Sequence, residues 1–77
     1  MDNETICLYE EGVLYFIRGK FAHARGETDK AVAFALIAKL YFDAAASVSH
    51  YDRMHLLIKI NKLRTEPRQA GRQAGEE

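Results

Sequence analysis

Three histidines, one cysteine, two adjacent glutamates and four tyrosines are the side chains with which this sequence could do chemistry. A metal site on a helix wants its ligands at i, i+3 or i, i+4, where they share a face. His50 and His55 stand five apart and diverge, and His23 lies a helix away with no cysteine partner. Cys7 is the only cysteine, so no disulfide can staple the chain. As a nucleophile it would need a histidine or other base beside it in space. The plainer expectation is a buried thiol acting as a small apolar group in a reducing compartment. Glu10 and Glu11 are neighbours in sequence and therefore point apart, whereas a carboxylate pair for acid–base work must converge. Tyr9, Tyr15, Tyr41 and Tyr51 fall at helical spacing among phenylalanines and leucines, the pattern of a core rim. These residues call for no catalytic group, no cofactor and no metal.

Two further chemistries deserve a test against the spacing. Arg53, Lys59, Lys62 and Arg64 crowd one segment and could touch phosphates, but eleven basic and eleven acidic side chains leave no net charge. A nucleic-acid binder carries a strongly basic footprint, so a solvated helix face is the expected reading. A small helical nuclease would set an arginine and a histidine on one helix face to converge with their symmetry mates. Arg53 and His55 are two apart and diverge. The longest apolar run, Ala31 to Ala38, falls far short of the roughly 20 residues that span a bilayer. With an acidic start and no positive n-region, the chain is expected to be cytoplasmic and free of the membrane.

Helices must position whatever these residues do. Glycine and proline are scarce before residue 66 and apolar residues do not alternate with polar ones, which favours helix over strand. A first helix is expected over about 3–24, with Asp2 or Asn3 as its cap and Glu4 complementing its dipole. Its apolar stripe reads Ile6, Val13, Ile17 and Ala24, widened by Tyr9, Phe16, Leu14 and Phe21. Gly12 and Gly19 sit seven apart on one face, as when another backbone passes close by. Gly26 suits the left-handed end of this helix, and Thr28 suits the cap of a second over about 29–48. That helix is apolar nearly all round, through Phe34, Leu36, Ile37, Leu40, Tyr41, Phe42, Val48 and many alanines, so it should be the buried central one. Ser49 and Asp52 resemble a capping box for a third helix over about 51–65, with Leu56, Ile60 and Leu63 as its stripe. Pro67 should stop it. The twice-repeated Arg-Gln-Ala-Gly beyond has no apolar side chain larger than alanine and is expected to be disordered over 66–77. The fold class expected is all-α: an antiparallel three-helix bundle over 1–65, short connections making its helices antiparallel.

The hairpin carries resemblances. Tyr15, Arg18-Gly19, Gly26, Asp29-Lys30-Ala31, Ala35 and Ala38 resemble a single tetratricopeptide repeat, although Ala22 stands where that pattern prefers tyrosine and Asp43 where it prefers proline. The microtubule-interacting-and-transport domain is built on a similar hairpin. Over about residues 6–48, Tyr9-Glu10-Glu11, Tyr15-Phe16, Gly26, Ala33-Phe34-Ala35 and Tyr41-Phe42-Asp43-Ala44-Ala45 also resemble a family of small archaeal helical-hairpin proteins, a domain of unknown function. That resemblance implies a helical fold in an archaeal cytosol and no activity.

A helix in a three-helix bundle needs one apolar stripe a little over 100° wide, and the first two helices each carry more. The surplus predicts a non-catalytic interaction or structural module that forms a homodimer, or meets another protein. The interface is expected to draw on Tyr9, Val13, Phe16, Leu36, Leu40 and Tyr41.

Overall fold

In the computed structural model the chain forms three helices: α1 (Asn3–Ala24), α2 (Thr28–Ala46) and α3 (His50–Glu76). The structure describes residues 2–76, with side chains for residues 2–65. Helix α3 runs past Pro67, the stop expected from the sequence, to Glu76, and the side chains from residue 66 onward lie outside those described. Helix α2 is the centre of the bundle, as its all-round apolar character demands. It packs against α1 on one side and α3 on the other, while among the described residues no Cα of α1 comes within 8 Å of one in α3.

Local chemistry sets the ends. Asp2 caps α1, accepting a 2.8 Å hydrogen bond from the Thr5 amide. Hydrogen bonds from the Thr5 hydroxyl and amide hold the Asp2 carboxyl below its ordinary pKa, with the Arg53 charge assisting. At the other end Gly26 adopts φ +80, the glycine conformation expected there. The Glu27 amide donates to the Ala22 carbonyl at 2.9 Å and the Gly26 amide to that of His23 at 3.0 Å. Those two bonds form a Schellman motif, which satisfies the last carbonyls of α1 and turns the chain back. Thr28 is not the cap of α2: it is already helical, and Glu27 holds the cap position without a side-chain bond. Helix α2 ends at Ala46, two residues early, and leaves Val48 fully exposed. Ser49 accepts a long, 3.4 Å bond from the Asp52 amide at the start of α3, one half of a capping box.

The core is small and depends on small residues. Leu8, Tyr15 and Ala22 from α1 meet Ile37, Ala38, Tyr41, Ala44 and Ala45 from α2 and Ile60 from α3, with Leu56, Leu57 and Leu63 packed beside it. Tyr15 stacks on Tyr41 with centroids 5.7 Å apart. The buried face of α1 is thus Leu8, Gly12, Tyr15, Gly19 and Ala22, alternating in steps of four and three. The larger stripe of Ile6, Val13, Ile17 and Ala24 faces outward. Cys7 is exposed rather than buried.

The reason is the closeness of α1 to α2. A Cβ on Gly19 would lie 3.5 Å from the Ala31 carbonyl oxygen and 3.7 Å from the Ala35 amide nitrogen. On Gly12 it would meet the Phe42 ring at 2.7 Å. Larger side chains on this face would drive the helices apart. The two sites should respond differently to alanine. At Gly19 the methyl meets ordinary contact distances, so G19A should stabilise by about 0.5–1 kcal/mol through the lost glycine entropy. At Gly12 the Phe42 ring must move, and G12A should yield no gain. Thermal melts of the two variants check this; equal stabilisation by both would contradict the packing.

Candidate functional site

What the hairpin turns outward is the candidate site. With Leu8, Gly12, Tyr15, Gly19 and Ala22 facing α2, helical geometry puts Ile6, Tyr9, Val13, Phe16, Ile17 and Phe21 on or beside the opposite face, with Leu14 at its edge. Each is between 38% (Tyr9) and 61% (Phe21) exposed. Taking roughly 200 Å2 for a large side chain, these seven expose on the order of 600 Å2. A monomer's largest apolar patch is about 300–600 Å2 and is often functional.

The face has relief. Between α1 and α2 runs a groove of ≈ 510 Å3 lined by Phe16, Gly19, Lys20, His23, Thr28, Ala31, Val32 and Ala35, with little polar surface in it. Val32 on its far wall is 64% exposed. Tyr9 leans on Phe42 of α2, ring centroids 6.0 Å apart, so one edge is fixed in place. Within the exposed apolar face of α1 the charged groups are Glu10 and Lys20, both exposed, and the Lys20 ammonium lies 5.7 Å from the centroid of Phe16.

The six residues expected at an interface divide three ways. Tyr9, Val13 and Phe16 lie together on the outer side of α1. Leu36 and Leu40 belong to another surface, a shallow ≈ 310 Å3 depression between α2 and α3 shared with Lys59, Lys62 and Leu63. Tyr41 is core: it stacks on Tyr15, and its hydroxyl accepts a 3.2 Å bond from Arg64. Its aromatic bulk drew it into the apolar surplus, but α2 needs that side chain where all three helices meet. Ile6, Leu14, Ile17 and Phe21 complete the outer patch, beyond the residues expected at the interface. The glycines carried the signal that separates the faces, because a close helix crossing buries the small-residue side.

Arg53 and His55, weighed for a nuclease site, make separate contacts. Arg53 is a clasp. Its guanidinium pairs with Glu4 and donates to the Thr5 hydroxyl (3.3 Å) on α1, and to the Ala44 and Ser47 carbonyls (3.1 and 3.2 Å) at the C-terminal end of α2. It supplies the positive charge that the last turn of α2 lacks, and joins α1 to α3 where their backbones do not meet. His55 is exposed and packs edge-on to Tyr51 at 4.5 Å, so it does not converge with Arg53. Arg53→Ala should cost about 1.5–3 kcal/mol, the range for charged hydrogen bonds. Lysine should not restore it, because one ammonium cannot span the fork. Urea denaturation of the two variants measures both; an unchanged midpoint would contradict the clasp.

At the far end of the bundle each helix contributes one cation to a ≈ 400 Å3 concavity: Arg18, Lys30 and Arg64, around Tyr15 and Phe34. Arg18 and Arg64 lie 5.0 and 5.8 Å from the centroid of Tyr15. The Tyr15 and Tyr41 phenols push the Arg64 pKa further up. Lys30 is 3.9 Å from Glu27. Among the described residues no three histidine, cysteine or acidic side chains cluster as metal ligands, and no helix is long and apolar enough to cross a membrane. Lys39 and Asp43 form an exposed pair at 2.8 Å. Comparison with family models, with curated proteins and with solved structures finds no match, so the site rests on its own geometry.

Proposed function

We propose that this chain is a non-catalytic helical interaction module that self-associates through the outer face of α1. One observation carries the reading: α1 is apolar on two opposite sides, and α2 occupies only one of them. A two-fold dimer buries such a face with a single self-matching patch. On the order of 600 Å2 per copy is comparable with the ~800 Å2 per partner of a standard interface, once the groove walls are added. A single cysteine suits a reducing, cytosolic setting for it. Analytical ultracentrifugation should give about twice the 8.8 kDa chain mass, with a melting temperature that rises with concentration. A monomer at micromolar concentration with a constant melting temperature would overturn self-association.

A second reading is favoured by the one-cation-per-helix arrangement of Arg18, Lys30 and Arg64: contact with a nucleic-acid backbone at that end of the bundle. Its affinity would fall steeply with salt, by about one counterion for each phosphate neutralised. RNA or DNA titrations at two salt concentrations, with wild type and Arg18→Ala/Arg64→Ala, test it. Absence of binding at low salt would dismiss it.

A further inference from the structure

We infer that two copies of this chain pair their α1 helices antiparallel, with Glu10 of each copy against Lys20 of the other. The inference rests on the self-association proposed above and specifies its geometry.

Glu10 and Lys20 are the charged side chains within the exposed apolar face of α1. Ten residues separate them, about 15 Å along a helix at 1.5 Å per residue, so they cannot reach each other within one chain. Among the described residues neither takes part in an ion pair. Buried in an interface without partners, both would oppose association.

The order of residues along the face resolves this. An antiparallel two-fold that brings Glu10 level with Lys20 of the second copy also brings Val13 level with Ile17. The same operation sets Leu14 level with Phe16, and Tyr9 level with Phe21. Every exposed large apolar residue in this stretch comes level with another, and the two charges come level twice per dimer with opposite sign. A parallel two-fold pairs each residue with its own copy. It would set Glu10 against Glu10 and Lys20 against Lys20 within an otherwise apolar seam, so the sequence of the face selects the antiparallel arrangement.

The test is a charge exchange read by sedimentation equilibrium at low salt. Both positions are exposed, so Glu10→Lys and Lys20→Glu should leave the circular dichroism of the fold unchanged. Each single variant places like charges together twice and should weaken the dimer by about tenfold, the scale of close charge pairs at interfaces. The double variant Glu10→Lys/Lys20→Glu restores opposite signs and should return to near the wild-type dissociation constant. Single variants that dimerise like wild type, as a parallel seam would, overturn the register. So does a double variant as weak as the product of the singles. A wild-type chain that remains monomeric overturns the self-association itself and with it this geometry, so the two failures are told apart.

Discussion

Ile17→Glu is expected to leave the helical fold intact while abolishing self-association. Ile17 lies on the side of α1 directed away from α2, 42% exposed and away from every buried core residue. In a monomer the new carboxylate simply meets water. In the proposed seam it enters twice, each copy opposite Val13 of the other, where no cation waits. An unpaired ionised group taken out of water costs several kcal/mol. The dimer should therefore weaken by at least about a hundredfold, since each 1.4 kcal/mol is a factor of ten. Ile58→Glu is the matched control, since Ile58 is equally large and 53% exposed but sits on α3. It should change neither mass nor melting. Should Ile17→Glu unfold the chain, shown by loss of helical circular dichroism, the outer face of α1 would be core and the proposal would fail. Should it remain a dimer, the interface lies elsewhere.

Ile60→Ala is expected to be the most damaging truncation in the molecule. Ile60 is 2% exposed and, among the described residues, is the one buried side chain that α3 contributes to the shared core. Removing it deletes buried methyl groups and leaves a cavity between α3 and α2, at a cost of about 2–5 kcal/mol. A chain of this length has a total stability of only about 4–12 kcal/mol, at ~0.05–0.15 kcal/mol per residue. The variant should melt far below wild type, and its α3 amides should lose hydrogen-exchange protection before those of the α1–α2 hairpin. Ile60→Val, which keeps the branch, should cost only about 0.5–1.5 kcal/mol. Equal protection loss in all three helices would mean that α3 is not held separately, contrary to a bundle in which its backbone packs on α2.

Much of the secondary structure was legible because its signals are local. Asp2 caps α1, Gly26 ends it with a positive φ, and α1 spans the 3–24 expected from capping and composition. The central place of α2 was also legible, since a helix apolar nearly all round has nowhere else to go. At the ends of α2, where weak caps compete, the expectation differs by a residue or two: Thr28 is in the helix, and α2 stops before Val48.

Which side of α1 faces inward was not legible in that way. Ile6, Val13 and Ile17 on one side compete with Leu8, Tyr15 and Ala22 on the other, and counting apolar mass favours the wrong one. The choice belongs to the pair of helices. Gly12 and Gly19 let α2 approach until Phe42, Ala31 and Ala35 touch the α1 surface, and shape complementarity then outweighs side-chain bulk. The candidate site follows from that choice, since its residues are those that the crossing leaves outside. Arg53 is a similar case. In sequence it is one cation in a basic segment, and only the fold brings Glu4, Thr5, Ala44 and Ser47 around it. The sequence by itself determined three helices, their turns and an excess of apolar surface, because these depend on neighbours within a few residues. Tertiary structure alone decided where the excess lies and which charges are clasps, because those depend on how closely two helix backbones can meet.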